Sequence, residues 1–143
     1  MDERTPVVSL PSTIQTEVAI TRIAFPVAGT VQIMGGRSII GATAGSSLKV
    51  NVQFTATSAT PVQEMRVRTF TARKCANEGE MNQATWEPFV PEKTYTITVP
   101  INFSSFDVSA QYRDTQGNLS RIICADIAVE GMPPPVVTPS RIP

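Results

Sequence analysis

The residue types that usually carry catalysis are sparse in this sequence. Histidine is absent, so no imidazole is available for general-base chemistry, proton shuttling or metal ligation at neutral pH. Mechanisms that pair a Ser or Cys nucleophile with His are therefore excluded. Glu78, Glu80 and Glu87 could supply carboxylates, but they are bunched on a Gly- and Pro-containing stretch that is typical of a solvated loop. We predict no catalytic residues and expect that the chain is not an enzyme.

The potential metal ligands do not have the spacing of known metal sites. Cys75 and Cys124 are too few for a zinc site and do not form a C-x-x-C motif. Asp107, Asp114 and Asp126 could meet on adjacent strands as a calcium site, but they lack the spacing of a calcium-binding loop. We predict no metal and no cofactor. The two cysteines either form one disulfide or remain separate thiols, because the sequence does not give their separation in space.

One long irregular stretch, residues 73–91, holds the strongest candidates for a binding surface, Trp86 and Phe89. A loop of this length inside a compact domain is more often contact-making than idle. Exposed Trp is enriched at binding hot spots and can stack on sugar rings. The competing interpretation is that Trp86 folds back and caps one end of the core.

Basic side chains are a second candidate for partner contact, with Arg66 and Arg68 the first choices. A basic patch could hold a phosphate or an acidic partner. The competing interpretation is a mixed, solvated face, because Glu64 and Asp107 share it. Five basic residues could gather on the outer face of one sheet: Arg66, Arg68, Arg73, Lys74 and Arg113.

The overall charge argues against polyanionic partners. Lys and Arg number 12, Asp and Glu number 12, and the net charge is zero, so attraction to nucleic acid is not an expected driving force. No apolar run approaches the ~20 residues that span a bilayer. Residues 1–6 (MDERTP) lack the basic and apolar regions of a secretory signal. We expect other protein subunits as partners, with glycans as the alternative, and neither nucleic acid nor membrane insertion.

Alternating apolar residues predict short β-strands along most of the chain. The clearest is residues 47–57, in which Leu48, Val50, Val52 and Phe54 face one way. Such period-2 alternation is typical of a half-buried antiparallel strand. About seven short strands, without helical periodicity, predict an all-β, two-sheet sandwich. The other apolar segments are residues 16–25, 31–34, 39–40, 63–70, 94–99, 106–112 and 121–129.

Proline and glycine divide the chain into three predicted parts. Residues 1–30 are predicted as an N-terminal arm with at most one strand, and residues 31–131 as the sandwich. Residues 132–143 (MPPPVVTPSRIP) contain five prolines, which favour polyproline II and lack the N–H donors of a β-ladder. The sequence leaves open whether residues 16–34 complete this sandwich or join the sheet of a neighbouring copy.

A turn motif of the form D-x-x-G-N-x-S comprises Asp114, Gly117, Asn118 and Ser120. Gly117 can take the left-handed conformation while Asp114 holds the turn through its side chain. The motif resembles the hairpin between strands F and G of bacterial and phage Ig-like modules, which are similar to fibronectin III domains. The resemblance covers roughly residues 39–131 and implies an immunoglobulin-like antiparallel sandwich.

The sequence also departs from antibody domains within this resemblance. The aromatic core residue of strand C is replaced by Met65 or Val67, and Trp86 lies in the irregular stretch instead. Cys75 and Cys124 do not have the placement of the disulfide that joins strands B and F in antibody domains. The resemblance is therefore to the looser bacterial class.

Modules of this class serve adhesins, enzyme spacers, filament subunits and virion surfaces alike. We expect a structural subunit of a large assembly, such as a decoration or minor capsid protein on the surface of a phage or virus particle. Its sandwich would face outward, and both terminal arms would make anchoring contacts that raise avidity. The alternative is an extracellular adhesion or carbohydrate-binding module of a secreted bacterial protein or filament, with Trp86 and Phe89 at its site. Both hypotheses place the chain on a virion or at an extracellular surface.

Overall fold

The computed structural model describes residues 26–134, and these residues confirm the all-β prediction. One short helix, α1 (Glu78–Met81), and one 3-10 turn (Met34–Gly36) accompany the strands. Eight strands follow in chain order: β1 Ala28–Ile33, β2 Ile39–Thr43, β3 Ser47–Thr57, β4 Val62–Phe70, β5 Glu87–Pro88, β6 Glu92–Thr98, β7 Phe103–Asp114 and β8 Ile123–Met132.

The strands form two sheets. The first has the order β1-β3-β6, and its neighbouring strands are antiparallel. The second has the order β2-β8-β7-β4-β5. All of its pairs are antiparallel except β2 with β8, which are parallel. The turn between β1 and β2 therefore carries the chain from one sheet to the other.

The apolar core lies between the two sheets, because each sheet turns its alternating apolar residues toward the other. Val50, Val52 and Phe54 of β3 are buried, as are Met65 of β4 and Tyr112 of β7. The core thus contains residues from the central strands of both sheets. Tyr112 also links the sheets directly, since its hydroxyl donates a hydrogen bond to the backbone carbonyl of Thr30 on β1 (2.6 Å).

The predicted boundaries agree with the strands at some places and fail at others. β3 spans the predicted residues 47–57. The boundary between arm and sandwich was placed too late, because β1 begins at Ala28 and Val27 is already buried in the core. Residues 27–30 therefore belong to the folded part. The predicted strand at residues 16–25, the rest of the arm and the tail from residue 135 lie outside the described residues.

We predicted no helix in the irregular stretch, residues 73–91, and that prediction was wrong. Residues 78–81 form α1, which begins with a capping box between Asn77 and Glu80. The side chain of Asn77 accepts a hydrogen bond from the backbone N–H of Glu80 (2.8 Å), and the Glu80 carboxylate accepts one from the N–H of Asn77 (3.0 Å). The spacing Asn-x-x-Glu is the sequence signal of this helix start. A helix of one turn has too few residues to show helical periodicity, so the sequence pattern did not predict it.

Candidate functional site

The outer face of the second sheet, which points away from the core, carries most of the predicted site residues. Part of it is covered by residues 71–77, which we call the strap. Three side chains of β7 accept hydrogen bonds from strap N–H groups: Ser105 from Arg73 (2.9 Å), Asp107 from Lys74 (2.8 Å) and Ser109 from Ala76 (2.9 Å).

Ser105, Asp107 and Ser109 of β7 point outward and are nevertheless buried, in contrast to the solvated face of the competing interpretation. Ser109 and Asp107 are almost completely inaccessible. The physical reason is that the strap lies over them, and its backbone N–H groups donate to one oxygen of each side chain in place of water. Among the described residues, the second carboxylate oxygen of Asp107 is buried without a hydrogen-bond partner. Alternation along β7 indicates which side chains leave the core, but it gives no information on what covers them.

A disulfide fixes the strap to the sheet. Cys75 of the strap is bonded to Cys124 of β8, with 5.7 Å between their Cα atoms. The sulfur of Cys124 also lies 3.4 Å from the hydroxyl oxygen of Ser109. The bridge joins two parts of the outer face of one sheet and does not cross the core.

The two arginines predicted for partner contact are engaged within the chain. Arg66 is buried, and its guanidinium donates hydrogen bonds to the side-chain oxygens of Gln111 (2.7 Å) and Asn82 (3.1 Å). Burial, together with the charge of Arg113, lowers the pKa of Arg66. Arg68 donates to the backbone carbonyl of Glu80 (3.0 Å) at the end of α1. Arg66 and Arg68 are therefore largely engaged within the chain, and their contact with a partner stays a prediction.

Two further residues of the predicted basic patch, Lys74 and Arg113, are paired with acidic residues. Lys74 forms an ion pair with Glu80 (2.9 Å), and Arg113 forms one with Glu64 on the neighbouring strand β4. The geometry agrees with a surface of mixed charge. It also engages two of the three loop carboxylates considered for catalysis, because Glu80 caps α1 and Glu87 pairs with Lys93 (2.7 Å).

Trp86 lies half-buried on this outer face. The guanidinium carbon of Arg66 is 4.4 Å from the centroid of its ring, and that of Arg113 is 4.1 Å away. These are cation–π distances. The competing interpretation, in which Trp86 folds back and caps one end of the core, does not agree with this position on the outer face.

Phe89 does not join Trp86 at a surface site. It packs against the core, and its ring meets that of Tyr112 edge to face, with 5.9 Å between the centroids. The pairing of Trp86 with Phe89 as one binding surface was therefore wrong. Trp86 and Phe89 flank β5 and are three positions apart, and residues an odd number of positions apart on an extended segment point to opposite sides of it.

An open groove of about 430 Å³ lies beside Trp86. Its lining mixes one aromatic ring with two guanidiniums and two carboxylates, so it suits a polar ligand better than an apolar one. The lining residues are Gln63, Glu64, Arg66, Trp86, Arg113, Asp114, Thr115, Gly117 and Leu119.

The turn motif forms one end of this groove. The carboxylate of Asp114 accepts hydrogen bonds from the backbone N–H groups of Gln116 (3.0 Å) and Asn118 (2.8 Å), and Gly117 has a positive φ of 84°. Ser120 is fully buried, and its hydroxyl oxygen accepts a hydrogen bond from the N–H of Tyr112 (2.9 Å). These four motif residues have structural roles within the turn.

Sequence reasoning missed an exposed apolar patch at the other end of the outer face. Ile39, Phe103 and Met132 are each about half exposed, and Ile101, in the loop that precedes β7, is 79% exposed. We call these four residues the apolar patch. The signal was available, because Phe103 has the same parity along β7 as Asp107 and Ser109 and therefore belongs to the face that leaves the core.

Among residues 26–134, no three metal-ligating side chains come together. No helix in this part of the chain is long and apolar enough to cross a membrane. In comparisons with known proteins, no family model, no curated protein and no solved structure matches the chain.

Proposed function

We propose that this chain is a non-enzymatic structural subunit of a large protein assembly, such as a decoration or minor capsid protein on the surface of a phage or virus particle. The observation that supports it best is the apolar patch. Phe103 and Met132 expose apolar surface at one place, immediately before the Pro-rich tail. Apolar side chains that are gathered in this way mark interaction sites more often than scattered ones do.

An immunoglobulin-like fold is part of the proposal. The order β8-β7-β4-β5 in the second sheet corresponds to the G-F-C-C′ order of immunoglobulin-like sandwiches, and β3 with β6 corresponds to strands B and E. The turn motif then lies between strands F and G. Folds of this type serve many functions, so the fold supports the class of module, and the surface supports its use in an assembly.

The outer face supports a contact role in preference to catalysis. Two pairs of charged residues on this face bind one another, Arg113 with Glu64 and Lys74 with Glu80. Groups that are held in this way position elements of the fold and are not poised to exchange protons with a substrate. Phe103 and Met132 add exposed apolar surface to this face, and apolar surface is what association between proteins buries.

Negative-stain electron microscopy of the purified full-length chain tests the proposal. We expect ordered particles or filaments, or decoration of an added particle from the same source. Genes for capsid and portal proteins beside this reading frame would support the virion version. A chain that remains monomeric and binds no particle would contradict the proposal.

The Trp86 groove favours a second candidate, an extracellular adhesion or carbohydrate-binding module. A half-buried aromatic ring beside polar side chains is a common element of sugar sites. A glycan array with the full-length chain and with Trp86→Ala tests it. This candidate requires binding that falls with the substitution, and it is rejected if no glycan binds or if Trp86→Ala binds equally well.

A further inference from the structure

The apolar patch lies on a defined part of the fold, at the edge of the second sheet. Phe103 pairs with Glu130 across β7 and β8, and Met132 follows two residues later on the same face of β8. Ile39 lies on β2, the strand at this edge. Within the described residues, β2 pairs with β8 on one side and has no strand on its other side.

The strap leaves this part of the outer face uncovered. Its backbone N–H groups reach the outward-facing side chains of β7 at Ser105, Asp107 and Ser109, and the carbonyl of Thr71 accepts a hydrogen bond from the hydroxyl of Ser104 (2.9 Å). Phe103 precedes these positions and is 57% exposed. On the outer face of β7, Ser105, Asp107 and Ser109 are thus covered by the strap, whereas Phe103 is exposed beside its partner Glu130, which is also exposed.

The Pro-rich tail leaves the sheet directly beside the apolar patch. The backbone carbonyl of Met132 accepts a hydrogen bond from the N–H of Ala44 (2.8 Å), and Gly131 donates one to the carbonyl of Asn102 (2.7 Å). These contacts hold the end of β8 in place. Pro133 and Pro134 follow at once and are exposed.

The sequence of the tail disfavours a return onto the patch of the same chain. Residues 133–135 are three consecutive prolines, each of which fixes φ near −65° and favours polyproline II. Such a segment advances roughly 3.1 Å per residue, or roughly 9 Å over three residues. It would carry Val136 and Val137 away from Met132, because a stiff spacer does not reverse within three residues.

We propose that Val136 and Val137 of one copy seat on the apolar patch of a second copy. This inference rests on the proposed function, since it names the partner and the surface through which an assembly forms. Each copy carries one tail and one patch. Reciprocal exchange would give a two-fold dimer, whereas exchange in one direction would give a ring or an open filament.

A photo-crosslinking amino acid at position 137 of the full-length chain tests the proposal. A 1:1 mixture of isotopically heavy and light copies is irradiated, and the cross-linked peptides are identified by mass spectrometry. We expect cross-links from position 137 to the peptide that contains Phe103, with heavy–light pairs as abundant as random mixing allows. Cross-links within single copies only, or none at this peptide, would overturn it.

Phe103→Asp and Leu119→Asp form a matched pair for this test. Both place a carboxylate where an exposed apolar side chain stood, but Leu119 lies beyond the opposite end of β7. Phe103→Asp should lower the heavy–light cross-link yield by roughly tenfold, because burial of an aromatic side chain contributes that much or more to affinity. Leu119→Asp should leave it unchanged, and equal losses in both variants would count against the patch.

The inference and the proposed function fail in different ways. Particles by electron microscopy without heavy–light cross-links would overturn the tail-and-patch contact and leave the structural role in place. Absence of any particle, together with monomers that cross-link only to themselves, would overturn both. Circular dichroism of each variant verifies that it has kept its β-structure.

Discussion

The carboxylate of Asp114 organises the turn between β7 and β8. Burial by itself would raise the pKa of Asp114, but hydrogen bonds from its surroundings, among them those of Asn118 and Ser58, outweigh burial and hold the pKa well below its ordinary value. The ionised form is therefore the one that the folded chain prefers. This local role could be predicted from the spacing of Asp114, Gly117 and Asn118, because turn chemistry depends on residues that are adjacent in sequence.

Asp114 should make stability fall as the solution becomes acidic. Its unfolded pKa is about 3.9 and its folded pKa is lower, so the unfolded chain binds more protons and stability rises with pH. The contribution is present above about pH 4 and is lost as the pH falls through the folded pKa. Urea unfolding at several pH values should show that Asp114→Asn is less stable at neutral pH and has a flatter pH dependence.

Asp126→Asn is the matched control for this experiment, because it removes the same charge from an exposed position on β8. An Asp114→Asn variant with the pH profile of the unsubstituted chain would contradict the role assigned to the carboxylate.

Gly131 occupies a position at which the backbone leaves no room for a side chain. A Cβ atom there would overlap the carbonyl oxygen of Pro100. Gly131→Ala should therefore destabilise the fold by about 1–3 kcal/mol, measured by urea unfolding. Gly79→Ala in α1 is the control and should be neutral or slightly stabilising. Equal stability of Gly131→Ala and the unsubstituted chain would show that the end of β8 is not tightly held.

At the scale of elements, the strands were more predictable than the segments that cover them. β3 could be predicted because alternating residues from Leu48 to Phe54 face the core on one side only. The strap could not, because nothing in Ser105, Asp107 and Ser109 distinguishes a solvated face from one that binds a neighbouring backbone. Its position depends on contacts between residues about 33 apart in sequence, which local patterns do not record.

The disulfide should stabilise the whole domain and the strap in particular. Cys75 and Cys124 are separated by 49 residues, and a closed loop of this length is expected to contribute about 4 kcal/mol through the unfolded state. The double variant Cys75→Ser, Cys124→Ser should lose stability on this order. Hydrogen exchange should quicken most at the strap amides of Arg73, Lys74 and Ala76, which then have no covalent anchor.

The amides of β3 are the internal reference for that measurement, since β3 lies in the other sheet. Equal acceleration in β3 and in the strap would mean that the bridge acts only by lowering the entropy of the unfolded chain and does not hold the strap in place. Unchanged exchange everywhere would mean that it does neither.

At the scale of the whole molecule, the all-β class could be predicted from alternating apolar residues and turn residues. Which side chains meet on one outer face could not be predicted in this way. The parallel pairing of β2 with β8 joins residues about 90 positions apart, and it places Ile39 opposite Ala128 and Thr43 opposite Met132 at one edge. Only this arrangement assembles the apolar patch. Sequence reasoning chose Trp86 and Arg66 instead, because single conspicuous side chains are visible in a sequence and shared faces are not.

The native mass of the full-length chain, measured by light scattering beside that of Phe103→Asp, tests the central claim most directly. We expect the unsubstituted chain to form species much larger than one copy of 15.4 kDa, and Phe103→Asp to remain near that mass while keeping its β-structure. If both chains are monomers at every concentration, the account of a self-assembling structural subunit is contradicted. The Trp86 groove would then be the surface on which function depends.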